Sequence, residues 1–208
     1  MREIIKEIAK ELDLDPALIW AVMRVESNGH FSLKDGKIPI LLERHWVYKF
    51  VKKRLGWRKA RYFYKKYPDI CNPKAGGYNK PSWYKDTQNN WQYEKLAKCI
   101  IKIDREIAHL STSFGAFQIM GFNYALCGYE SATKMANKFH QDPQKEQIKA
   151  FINFIKNYKH GKAYFALKNY RFDLFAKYYN GLGYKKNNYD NKLVVAYASW
   201  YEDAENIA

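Results

Sequence analysis

Apolar residues recur at helical intervals along most of this chain, and proline, glycine and asparagine cut the pattern into helix-sized pieces. Met1 to Leu12 places Ile4, Ile5, Ile8 and Leu12 on one side of an amphipathic helix. Asp15 is a natural N-cap and Pro16 suits a first helical position, so a second helix is predicted from there to about Glu26. Further helices are predicted over Glu43 to Lys53 and over Trp57 to Tyr67, the latter stopped by Pro68. Trp91 to Leu110 reads as one long helix carrying Leu96, Ile100, Ile103 and Ile107 inward. Pro143 opens another that runs to about Tyr158 with Ile148, Phe151, Ile152 and Ile155 on its inner face, and Arg171 to Tyr179 and Leu193 to Ala204 complete the set. Residues 69–90 are rich in Asn, Gly, Pro, Ser and Lys and are expected to form a long irregular loop.

One short stretch changes period. Phe31 and Leu33 alternate with polar residues up to Asp35-Gly36, and Ile38 and Ile40 alternate beyond it. A two-residue Asp-Gly loop supplies the positive φ angles that a type I′ turn needs, so a β-hairpin is predicted here. Pro39 confines its second strand to an edge or an end. The expected fold is therefore mainly α, with one small β-hairpin directly after the helix that ends at Glu26.

That glutamate has an unusual setting. Ile19, Val22 and Met23 share its helical face at seven, four and three residues back, which places a carboxylate over an apolar stripe. It also sits at the negative end of the helix dipole. Both effects disfavour the ionised form and push the pKa up. An acid still protonated near neutral pH is what glycosidic cleavage requires to protonate a leaving oxygen.

Composition narrows the classes. The chain's 208 residues suffice for one domain or a compact pair of lobes, and no apolar run approaches the roughly 20 residues needed to span a membrane. Acids interrupt the N-terminal helix, so it does not read as a signal peptide. Cys71, Cys99 and Cys127 are odd in number and unpaired by any C-x-x-C spacing, which suits synthesis in a reducing compartment. His30, His45, His109, His140 and His160 are scattered without ligand spacing, so no metal and no cofactor is expected. The formal net charge of +15 implies attraction to polyanions: nucleic acid, anionic membranes or an anionic wall. Eighteen tyrosines, twelve phenylalanines and six tryptophans provide faces for nucleobases or sugar rings alike. A nucleic-acid-binding protein is therefore the rival class, but the basic residues form no continuous helical stripe and no DNA- or RNA-binding motif appears.

Two further segments, Ser111-Thr112-Ser113-Phe114-Gly115-Ala116-Phe117-Gln118-Ile119-Met120 and Tyr178-Tyr179-Asn180-Gly181-Leu182-Gly183-Tyr184, join Val25-Glu26-Ser27 and Leu41-Leu42-Glu43-Arg44-His45 in a fixed order. Together they resemble the phage-type N-acetylmuramidases, the catalytic domains of many endolysins of Gram-negative hosts, over roughly residues 10 to 198. The same order also resembles the broader group of lytic transglycosylases and goose-type lysozymes, in which a Glu-Ser pair, a Gly-x-x-Gln-x-Met segment and a Tyr-Asn-x-Gly segment line one cleft. Phe114 stands where the muramidases usually have tryptophan and Leu42 where phenylalanine is usual. The Glu26-to-Asp35 spacing matches the acid pair of phage T4-type lysozymes, whose downstream threonine is replaced here by Leu41.

The resemblance implies a lysozyme-like, two-lobed helical fold and cleavage of the β-1,4 bond between N-acetylmuramic acid and N-acetylglucosamine, lysing a host cell. It assigns Glu26 as general acid, with Asp35 or Glu43 as the candidate second carboxylate. Ser113, Gln118, Met120, Tyr124, Tyr179, Asn180, Tyr184 and Tyr189 are the candidate substrate-binding residues. Tyr179 is expected either to hold the acid by a hydrogen bond or to stack on a sugar, and Tyr124, Tyr184 and Tyr189 to stack on rings. A carboxylate that activates water yields a reducing end; without one, the muramic C6 hydroxyl attacks and leaves a 1,6-anhydro product. Hydrolysis is expected from the closer family. The partners expected are peptidoglycan and, through the basic surface, anionic outer-membrane or wall polymers, with no specific nucleic acid and a monomeric chain. Residues 1–208 are expected to form a single catalytic domain without a separate wall-binding domain. It is expected to be made in the host cytoplasm and to act in the periplasm once the membrane is permeabilised. Wall binding that did not weaken with salt would contradict the proposed role of the charge.

Overall fold

The computed structural model describes residues 2–11, 13–78 and 89–205. It is mainly helical with a small antiparallel sheet, and its residues group into two compact units. The first contains the chain up to Phe31, Leu126–Gly128 and everything from Asp142 onward; the second contains Ser32–Ala125 and Tyr129–Gln141.

In the first unit, α1 (Arg2–Glu11) and α11 (Tyr189–Glu205) pack on α2 (Pro16–Ser27). Asp15 caps α2 as its sequence demands, in extended conformation and accepting from the Ala17 amide at 2.9 Å. Ala17, Leu18, Ile19, Ala21, Val22 and Met23 are all buried. The same Asp15 carboxylate accepts from Tyr197 at 2.7 Å and from Tyr201 at 3.1 Å, both on α11. Trp20 of α2 donates to Ser199 at 3.2 Å and its ring meets Trp200 at 5.9 Å. The pair is thus tied along its length. Alongside it, α8 (Lys145–Asn157), α9 (Lys162–Lys168) and α10 (Phe172–Tyr179) bury Phe151, Ile155, Leu167 and Phe175. Burial of such side chains contributes about 1.5–3 kcal/mol each, which outweighs the weak propensity of so short a helix as α9.

The second unit holds α3 (Arg44–Leu55), α4 (Trp57–Lys66), α5 (Asn90–Lys102), α6 (Arg105–Leu110) and α7 (Ala132–Gln141) around a three-stranded sheet. The strand order is β1 (Ile40–Leu42), β2 (Thr112–Phe114), β3 (Ile119–Met120), all antiparallel, with Leu41 opposite Ser113 and Ser113 opposite Met120. Gly121, just past β3, has no room for a side chain: a Cβ there would lie 1.9 Å from the carbonyl oxygen of His109.

Two predicted elements take a different form. The Asp35-Gly36 turn closes, with Leu33 N–H donating to Lys37 at 2.7 Å and Gly36 at φ +80°, but no ladder grows from it. The outward amides of Ile40 and Leu42 are instead bonded to the side chains of Asn89 at 2.9 Å and Gln92 at 3.1 Å, and Tyr93 donates to the Ile38 carbonyl at 2.8 Å. Side chains at the start of α5 thereby occupy the edge that Phe31–Leu33 would have paired. The sheet forms through β2 and β3 instead. The long helix predicted over 91–110 is also broken, because Asp104 adopts extended geometry and caps α6, accepting from Ile107 N–H at 2.7 Å. Two helices were not anticipated, α7 and α9. Within the predicted 69–90 loop, residues 79–88 lie outside the described part, as does Leu12 of the first predicted helix.

Candidate active site

Glu26 lies in the last turn of α2, on the face carrying the buried Ile19, Val22 and Met23. Asn28 ends the helix in left-handed conformation, its N–H donating to Arg24 at 3.0 Å, and Gly29 at φ +81° donates to Met23. Such a cap satisfies the last carbonyls locally and leaves the glutamate to find its own partner. It finds one in Tyr189, the first residue of α11, whose hydroxyl donates to Glu26 Oε1 at 2.5 Å. Burial raises the Glu26 carboxyl from 4.5 to about 7, and the tyrosine bond, which favours the carboxylate, offsets only part of that rise. Of the two expected influences, the apolar surroundings and the helix dipole, it is the first, desolvation, that raises this group most.

Tyr179, at the end of α10, is the second aromatic group near the acid. Its ring stacks on Phe175 at 5.1 Å and meets Phe151 and Phe154 edge-on at 5.8 Å. Burial and then the neighbouring Glu26 charge push its phenol well above the ordinary range, as they do that of Tyr189. Two tyrosines that stay neutral thus border a carboxyl poised near neutrality. Of the two roles expected for Tyr179, holding the acid or stacking on a sugar, the first is filled by Tyr189, whose hydroxyl donates to Glu26. Tyr184 and Tyr189 are only 8% and 5% exposed, so both rings are packed in this unit, whereas Asn180 is exposed just past α10.

The remaining candidates lie in the second unit. Ser113 is buried in the middle of β2 and donates to Gln118 Oε1 at 2.9 Å; Gln118 in turn donates from Nε2 to the Gly115 carbonyl at 2.9 Å. Gln118 has φ +46° and Gly115 φ +74°, so the amide clasps a turn with two left-handed residues. Met120 and Tyr124, which follow, are half-buried. Asp35 is exposed and accepts from both the Lys37 amide at 3.2 Å and its ammonium at 2.7 Å. That hydrogen bond first, and then the backbone bond and charge of the same lysine, hold its carboxyl below the usual carboxylate range. Glu43 precedes α3 and accepts from the Tyr78 hydroxyl at 2.8 Å. His45 Nδ1 lies 3.1 Å from the same oxygen without the alignment of a hydrogen bond, and its pKa is lowered, with burial the largest cause and Glu43 opposing it. Among the described residues, no group of three or more His, Cys, Asp or Glu side chains is placed to hold a metal ion.

A mainly helical fold with a small antiparallel sheet, carrying a half-buried helix-end carboxyl raised to about 7, belongs to the lysozyme-like class. More narrowly, the chain belongs to the N-acetylmuramidase family, whose family model matches residues 15–201. It is also similar to the crystal structure of the endolysin of Burkholderia AP3 phage, at 32% sequence identity and a TM-score of 0.77, over 98% of this chain and 71% of that one. No curated protein sequence matches it. The chain is accordingly a glycoside hydrolase that acts on peptidoglycan.

Proposed function

We propose that Glu26 is the general acid of this muramidase, protonating the oxygen that links N-acetylmuramic acid to N-acetylglucosamine. The observation that carries this assignment is the Glu26 carboxyl raised to about 7 beside Tyr189. A carboxyl ionising near 4.5 would have lost its proton at neutral pH; one ionising near 7 retains it and stays basic enough to take it back. Tyr189 orients the acid and stabilises the carboxylate once the proton has gone to the leaving oxygen, with no contact to sugar required.

Sugar recognition is assigned by family resemblance to Ser113, Gln118, Met120, Tyr124, Tyr179, Asn180 and Tyr184. The internal bonding of Ser113 to Gln118 favours a role for both in shaping the β2–β3 turn. For the water-directing group we favour Asp35, because Lys37, donating from its amide and its ammonium, keeps that carboxylate ionised, while Glu43 accepts from the Tyr78 hydroxyl. Hydrolysis is the outcome implied by the family, and the likeness to a phage endolysin supports a role in host lysis, with the chain made in the cytoplasm and reaching the periplasmic wall after membrane permeabilisation.

Digestion of purified peptidoglycan tests the reading. Mass spectrometry of the products is expected to show reducing-end muropeptides, one water heavier than anhydro forms, and Asp35→Asn is expected to slow their release more than Glu43→Gln does. Glu26→Gln is expected to abolish release while co-sedimentation with the wall persists. Digestion by Glu26→Gln at the wild-type rate would sink the assignment.

A further inference from the structure

Between Glu43 and Asp69 the chain contains no acidic residue, and residues 52–66 alone carry eight cations: Lys52, Lys53, Arg54, Arg58, Lys59, Arg61, Lys65 and Lys66. The structure folds this stretch into the elbow between α3 and α4, turning at Gly56 with φ +88°. Only the inner side of the elbow is packed. Val51 and Ala60 are buried, and Tyr48 meets Tyr64 edge-on at 6.4 Å, which fixes the angle between the two helices. Every residue from 52 to 59 is exposed. At the tip stand two large apolar side chains that protein covers only in part, Leu55 at 47% and Trp57 at 57% exposure, with the Arg58 guanidinium 5.8 Å from the Trp57 ring.

The muramidase reaction does not explain this combination. A run of cations by itself is a solvated face and needs no partner. A half-exposed leucine and tryptophan side by side at the apex of such a run are different, because the exposed part of each forgoes its transfer free energy unless something covers it. A nucleic acid would satisfy the cations and could stack on Trp57, but would leave Leu55 in contact with a polar backbone. An anionic lipid surface satisfies both sets at once: the cations meet the headgroups, and the two apolar side chains enter the boundary beneath them, where tryptophan is favoured. We propose that the α3–α4 elbow is a docking surface for anionic phospholipid membranes, with Leu55 and Trp57 inserted at the tip and the flanking lysines and arginines bound to headgroups. This surface operates independently of Glu26 and would hold a muramidase at a membrane leaflet next to its wall substrate.

Co-sedimentation of the full chain with vesicles of phosphatidylglycerol mixed into phosphatidylcholine, against vesicles of phosphatidylcholine alone, tests the proposal. Binding is expected only to the anionic vesicles and is expected to weaken with salt. Each near-surface cation contributes about fivefold to partitioning, so the neutralising variant K52Q/K53Q/R54Q is expected to reduce binding on the order of a hundredfold. L55A/W57A is expected to reduce it at least about tenfold. Brominated phosphatidylglycerol is expected to quench a component of tryptophan fluorescence that disappears in W57F. Both multiple variants, checked for native circular dichroism, are expected to digest solubilised peptidoglycan at the wild-type rate, and Glu26→Gln to bind vesicles normally. Equal binding to neutral vesicles, or anionic binding unchanged in L55A/W57A, would overturn the proposal. So would loss of digestion of solubilised wall in the elbow variants, which would place the elbow in substrate recognition.

Discussion

Replacing Glu26 by glutamine should stabilise the protein while it destroys activity, and the gain should depend on pH in a defined way. The carboxyl ionises near 4.5 in an unfolded chain and near 7 in the folded one. The folded state therefore binds this proton more tightly, and the associated stability is fully present below pH 4.5 and is lost as the pH rises through about 7. At about 1.36 kcal/mol per pH unit of displacement, the ionised group costs the folded state about 3 kcal/mol in alkaline solution. Glutamine keeps the shape, still accepts from the Tyr189 hydroxyl, and does not titrate. Urea unfolding of wild type and Glu26→Gln, at an acid and an alkaline pH, gives the comparison. The variant is expected to match the wild type or fall slightly below it in acid, and to exceed it by up to about 3 kcal/mol in alkali, with unchanged denaturant slopes. A difference that stays constant with pH, or a variant less stable in alkali, would refute the account of Glu26 as a desolvated acid.

Tyr189→Phe removes the bond that favours the Glu26 carboxylate, so the Glu26 pKa should rise and the alkaline limb of kcat/KM should move to higher pH by about one to two units, given about 1.5–3 kcal/mol for a bond to a charged group. A limb that stays put, or moves down, would contradict the bond's direction. Gly121→Ala should be far more damaging than its chemistry suggests, because the added methyl meets the His109 carbonyl, and a loss of more than about 4 kcal/mol or a failure to fold is expected by thermal denaturation.

Local signals were the readable ones. Asp15-Pro16 announced the start of α2, and the apolar face behind Glu26 announced both the helix and its raised carboxyl. Where a residue's role depended on a distant partner, local reading failed. The Asp35-Gly36 turn carried a strong hairpin signal, yet Asn89 and Gln92 claim the backbone edge that the hairpin would have used. Asp104 sat inside an uninterrupted apolar rhythm, and its capping role became visible only once the chain turned there. The helix over 132–141 was legible in principle, since Ala132, Met135, Ala136 and Phe139 keep helical spacing and Ser131 accepts from the Lys134 amide at 3.1 Å. The acid's partner was legible only in part: Tyr189 stands out in the sequence as a ring-stacking candidate, and its bond to Glu26 appears only once α11 lies against α2.

That pairing joins residues 163 positions apart. A ribosome adding about 5–20 residues per second delivers Tyr189 some 8–30 s after Glu26. Until then the acid has neither its hydrogen-bond donor nor the helix that desolvates it, and it ionises like any exposed glutamate. Each newly made chain is therefore born without a poised acid and acquires one only after Tyr189 has been added and α11 has folded onto α2.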